Sequence, residues 1–111
     1  FHLFITPTTL AYYKYLQEVN PNIIHMIAKI RKSLVEELNG LDNVTISDFS
    51  IKSEWTTDLD KYKDVSHYVP EINDLMIEQI EDPQNSLNID NVSNVNEIFS
   101  TQVLSYEIPI K

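Results

Sequence analysis

The chain has no cysteine and a single glycine, Gly40, among 111 residues. Without cysteine there is no disulfide, no thiolate metal site and no cysteine nucleophile, and the redox state of the compartment leaves no trace. One glycine excludes the glycine-rich loops that cradle phosphates, because those need several backbone positions without a Cβ beside the ligand. Basic residues are scarce too: eight Lys and Arg stand against seventeen Asp and Glu, a net charge of −9. Such a charge repels phosphate backbones and anionic lipid, so nucleic acid is discounted as a partner. No apolar run approaches the roughly 18 to 20 residues that a membrane-crossing helix needs, so no membrane span is expected in this segment. The chain opens on Phe1 with neither an initiator Met nor a signal-peptide pattern, which reads as a processed chain or a piece of a longer one.

What is present is a globular composition, 42% hydrophobic and 23% charged, on a length that fits one small domain. The acidic residues are scattered and read as a solvated surface.

The segment from His2 to Thr6 is apolar and β-forming and stops at Pro7, the pattern of a short strand. Thr8 or Thr9 then caps a helix through about Val19 that carries Tyr12, Tyr13 and Tyr15. A second helix is predicted from Asn20 as N-cap and Pro21 as first helical residue. Its apolar positions Ile23, Ile27, Ile30, Leu34 and Leu38 recur at helical spacing and define the expected core face. Gly40 follows where a helix end needs positive φ. Val44 to Phe49 alternates as a second strand ending near Asp48. Ser50 to Val69 lacks periodicity and is rich in Trp, Asp, Lys, Tyr and Ser; a long irregular stretch in a compact domain is usually functional. Pro70 opens a helix with the stripe Ile72, Leu75, Met76 and Ile80, closed by Asp82 and Pro83. Gln84 to Asn96 reads as a loop or linker. Val95, Ile98, Phe99, Val103 and Tyr106 form a last amphipathic helix, before the tail Ile108-Pro109-Ile110.

This order of elements predicts an α/β fold with a parallel sheet. Two parallel strands are too few to stand alone, since parallel sheets are normally covered on both faces. The pattern therefore predicts a missing half, which joins the open strand edge or is replaced there by self-association.

Of the histidines, His25 lies beside the apolar stripe of the second helix and reads as a surface or partly buried residue; His2 has no evident role. His67 differs. It follows Asp64 by three positions, just before Tyr68 and the helix start at Pro70. Carboxylate and imidazole at that spacing come side by side, so Asp64 accepts a hydrogen bond from Nδ1–H and fixes the tautomer. The other nitrogen can then serve as base toward a hydroxyl, although on spacing alone a surface cap with an adjacent histidine is the commoner arrangement. Asp58, Asp60 and Asp64 fail as a calcium loop, because Tyr62, Lys63 and Val69 stand where an oxygen ligand, a glycine and a glutamate belong. No metal spacing occurs and no cofactor is expected. Trp55, Tyr62 and Tyr68 either line a substrate cleft or anchor the loop on the core, packing being the commoner use of large aromatics.

The stretch from Thr56 to Asn73, with Asp64-Val65-Ser66-His67-Tyr68 at its centre, resembles the C-terminal block of the SGNH/GDSL hydrolases. The elements before it agree in order, so the resemblance covers about residues 1–82, leaving 83–111 as an extension of loop and helix. It implies a three-layer α/β/α, flavodoxin-like domain of which this chain is the C-terminal part. It also implies that His67 is the general base of a Ser-His-Asp triad, oriented by Asp64, in a serine esterase or acyl-ester hydrolase acting without metal or cofactor. An ester on a cell-envelope carbohydrate, in an envelope or extracellular setting, is the substrate that the resemblance suggests. The family's Gly-Asp-Ser and Gly-x-Asn-Asp blocks do not occur here; in the family's order they lie upstream of residue 1. Ser66 does not replace the serine, because as the neighbour of His67 its hydroxyl is directed elsewhere. The chain alone is thus expected to be inactive. The alternatives are a non-catalytic protein-interaction module and an O-acyltransferase-related domain.

Overall fold

The computed structural model describes residues 1–38, 40–64 and 67–109. The expectations attached to Ser66 and to Ile110 lie outside these residues.

Strand β1 (His2–Ile5) is short because Pro7, which has no N–H, ends the ladder two residues on. Helix α1 (Leu10–Val19) starts where the Thr9 hydroxyl accepts the Tyr12 N–H at 3.2 Å. Asn20 closes it by donating its N–H to Leu16 O at 2.8 Å. Its side chain then accepts the Asn22 N–H at 3.1 Å, so Pro21 sits in a turn and helix α2 (Ile23–Leu38) begins later than its sequence signals suggest. Gly40 takes φ +90°, the left-handed conformation expected after a helix end. Strand β2 (Thr45–Asp48) follows and pairs parallel to β1, with His2 opposite Thr45 and Ile5 opposite Asp48. The chain is therefore a small α/β domain on a two-stranded parallel sheet.

Ser50 to Val69 is more ordered than its lack of periodicity predicts. It holds a short helix α3 (Ser53–Thr56), a 3₁₀ turn (Leu59–Lys61) and an antiparallel bridge between Tyr62 and Tyr68. Polar caps build it, and apolar counting does not register those: Asp58 accepts the Asp60 N–H at 3.1 Å. Helix α4 (Pro70–Gln79) has Pro70 in its first turn and buries Ile72 and Met76. The stretch read as a linker is no linker. After a 3₁₀ turn (Pro83–Asn85), Ser86 bridges to Ser47 and the Leu87 N–H donates to Ile46 O at 2.9 Å, so this segment lies along β2. Helix α5 (Val92–Ser105) then buries Val92, Val95, Phe99 and Val103.

The two faces of β2 meet different helices. Ile46, with Leu3 and Ile5 of β1, packs with Val35 of α2, Leu87 and Val95 of α5. On the opposite face the Ser47 hydroxyl donates to Ile80 O, at the end of α4, at 2.8 Å. Beyond β2, Phe49 stacks on Trp55 at 5.6 Å and packs with Ile72 and Met76. At the far side of β1, no strand pairs among the described residues. Since Phe1 O and Ile5 O accept from β2, the main-chain groups of His2 and Phe4 point to that open edge.

The expected stripe of α2 packs against the core at Ile27, Leu34 and Leu38 and is corrected at Ile30. Its inner face centres on Arg31 and Val35, at 4% and 2% exposure, whereas Ile30 of the expected core stripe is 67% exposed. Arg31 turns inward because each of its three guanidinium nitrogens donates a hydrogen bond. Nε donates to Asp48 Oδ2 at 2.8 Å, Nη1 to Asn96 Oδ1 at 2.6 Å and Nη2 to Ser50 Oγ at 2.8 Å. Its plane also lies 4.8 Å from the centre of the Phe99 ring. Asp48 in turn accepts the Ser50 N–H at 2.8 Å and the Ser50 hydroxyl at 2.5 Å. A buried charge pair is tolerable when further hydrogen bonds support it, and here each guanidinium nitrogen and both Asp48 oxygens take part in one.

Candidate functional site

Asp64 and His67 sit on the segment that leaves the C-terminal end of β2, the side on which open parallel sheets commonly carry their sites. The base of this segment is fixed by main-chain bonds. The Lys63 N–H donates to His67 O at 2.7 Å and the Val69 N–H to Lys61 O at 2.8 Å, flanking the Tyr62–Tyr68 bridge. Asp64 Oδ1 accepts the main-chain N–H of His67 at 2.9 Å. The same carboxylate faces the imidazole, with Nδ1 2.8 Å from Oδ1 and 2.7 Å from Oδ2.

A carboxylate only accepts hydrogen bonds, so this contact places a proton on Nδ1. The pair is exposed, the side chain of His67 at 74% and that of Asp64 at 55%. The imidazole therefore stands in solvent rather than inside a cleft formed by the described residues. A cavity of about 180 Å³ lies elsewhere, between the end of α2 and residues 86–89, and has no ionisable side chain in its lining.

The three aromatics named from the sequence occupy different places. Trp55 is 4% exposed, stacked on Phe49 with Lys52 Nζ 5.1 Å from its ring, and offers a ligand almost no surface. Tyr68 packs against the cluster of Phe49, Trp55, Ile72 and Met76. Tyr62 points its hydroxyl inward, where it is buried and has no hydrogen-bond partner. Burial pushes that phenol up to about 12, with Tyr13 and then Asp58 adding to the effect. Tyr13 is likewise raised, first by burial, while a hydrogen bond from Thr8 works against it. Asp58 is paired with Lys61 at 3.7 Å and caps the 3₁₀ turn, and Asp60 is exposed. Among the described residues no group of His, Asp and Glu is arranged to hold a metal ion.

His2, without a role in the sequence reading, bridges the two strands: Nε2 lies 2.9 Å from Ser47 Oγ and Nδ1 2.6 Å from Thr45 Oγ1. Its partners lie more than forty positions away, and only the strand register announces them. His25 is exposed on α2. No helix among the described residues is long and apolar enough to cross a membrane.

Comparison with protein-family models, with curated proteins and with solved structures finds no match to this chain.

Proposed function

We propose that this chain supplies the acid–base half of an SGNH/GDSL-type serine hydrolase acting on acyl esters, with His67 as general base and Asp64 as the residue that orients it. The observation that carries this reading is the Asp64 carboxylate set against Nδ1 at 2.7 and 2.8 Å. In the proposed reaction Nε2 takes the proton of a serine hydroxyl as its oxygen attacks the ester carbonyl. It then delivers that proton to the departing alcohol oxygen, and water repeats the sequence on the acyl-enzyme. Asp64 keeps the ring in register and stabilises the imidazolium that forms.

The fold supports the reading in two respects. The helices on either face of β2 agree with the layering of an α/β/α domain, and the open edge of β1 is where further parallel strands would join. The serine, the oxyanion donors and the walls that would enclose the imidazole belong, on this proposal, to polypeptide outside the present sequence. The 111 residues by themselves are then inactive. An ester on a cell-envelope carbohydrate is the proposed substrate, and transfer to a sugar hydroxyl in place of water is the same chemistry with another acceptor.

A fluorophosphonate probe tests this. A polypeptide that extends upstream of Phe1 is expected to be phosphonylated on one serine, and the 111-residue chain is not. A longer polypeptide that resists the probe contradicts the proposal. A second reading, a non-catalytic interaction module, draws on the 74% exposure of the imidazole, and on that reading neither polypeptide reacts.

A further inference from the structure

The Asp64–His67 pair is exposed, yet its geometry is specific, and something must hold it. The bond between the two side chains is local and solvated, and such a contact alone confers little order. The order enters at Tyr62. Across the antiparallel bridge Tyr62 and Tyr68 stand directly opposite one another, so their side chains leave the ribbon on the same side. Tyr68 meets the Phe49–Trp55 cluster. Tyr62 carries its hydroxyl to a buried position within electrostatic range of Tyr13 on α1. Tyr13 in turn packs edge-on against Phe99 of α5, with ring centres 5.0 Å apart and planes at 83°. The base of the segment is thus held by Tyr68 on the Phe49–Trp55 cluster and by the inward-pointing Tyr62, and Asp64 and His67 follow within a few residues.

Resting on the function proposed above, we infer that Tyr62 is a positioning residue for the Asp64–His67 pair, acting through its ring and not through its hydroxyl. Its ring carries the start of the segment inward to the buried position of its hydroxyl, beside Lys63, whose N–H donates to His67 O at 2.7 Å. The hydroxyl has no partner, so nothing in the role depends on it.

The test is made on the 111-residue chain by long-range ¹H–¹⁵N spectroscopy of the imidazole rings, at a pH where they are neutral, with exposed His25 as internal reference. Unaltered, His67 is expected as the Nδ1–H tautomer. Tyr62→Ala is expected to lower the ratio of Nδ1–H to Nε2–H by roughly tenfold, the scale of losing one charge-assisted hydrogen bond, while leaving the His25 signal unchanged. Tyr62→Phe is expected to restore the wild-type ratio, a rescue that a role for the hydroxyl does not allow. If Tyr62→Ala fails to fold, Tyr62→Leu, which keeps apolar volume but not the flat ring, replaces it in the same comparison. A ratio that stays at the wild-type value in the Ala or Leu variant overturns the role of Tyr62 alone, and so does a Phe variant that fails to rescue. An unaltered chain without the Nδ1–H form contradicts the proposed function, and the role of Tyr62 with it.

Discussion

Two carboxylates in this molecule each face a nitrogen base, and their surroundings are opposite. Asp48 and Arg31 meet at 2.8 Å with side chains 2% and 4% exposed. Asp64 and His67 meet at 2.7 Å with side chains 55% and 74% exposed. The buried pair has further partners in Ser50 and Asn96 and draws β2, α2 and α5 together. It is structural because each guanidinium nitrogen donates to a residue of another part of the chain. The exposed pair joins residues only three apart, ties no two elements together and includes the one side chain whose charge commonly changes near neutrality. Similar contacts therefore differ in what they do: the first is a fastener, and the second, on the function proposed above, moves a proton.

The comparison breaks first at Asp48. Asp48→Ala leaves the Arg31 guanidinium buried without its carboxylate, and the expected loss is about 3–5 kcal/mol in urea unfolding. By contrast Asp64→Ala is expected to cost less than about 0.5 kcal/mol, as exposed pairs do. Equal losses from the two would erase the distinction.

A smaller effect tests the link between the regions, where Tyr13 and Tyr62 stand. Tyr62 ionises at about 12 in the folded chain against 10.0 for an ordinary tyrosine. Between those values the unfolded chain gives up a proton that the folded chain keeps, so stability falls as pH rises through that window. The slope is at most about 1.4 kcal/mol per pH unit, and Tyr62→Phe removes this part of it. Urea midpoints measured across the window check this, and a slope unchanged by Tyr62→Phe would place the phenol in water.

What was legible in the sequence was what local chemistry decides. Pro7 ending β1, Thr9 capping α1, Gly40 in its left-handed conformation and Pro70 opening α4 each act within a few residues. The Asp64–His67 contact is equally local, since three positions of spacing bring the side chains together. The facing of α2 is legible only in part, through Ile27, Leu34 and Leu38, which pack against the core. Counting apolar positions selects Ile30 and passes over Arg31, whose burial depends on Asp48, Ser50 and Asn96, 17, 19 and 65 positions away. The segment around Ser86 and Leu87 was missed for the same reason, because Ser47 and Ile46, its partners along β2, are remote in sequence. Tyr62 was named as lining or anchor, and only the three-dimensional placement of its hydroxyl distinguishes the two.

The central claim, that the exposed pair exists for proton transfer and the buried pair for the fold, is tested most directly by one substitution in the polypeptide extended upstream of Phe1. For His67→Gln, kcat/KM on an aryl acetate is expected to fall by about 10³–10⁴-fold while the urea midpoint stays at the wild-type value. Hydrolysis that persists within about threefold of wild type, or that is lost together with the folded state, would contradict it.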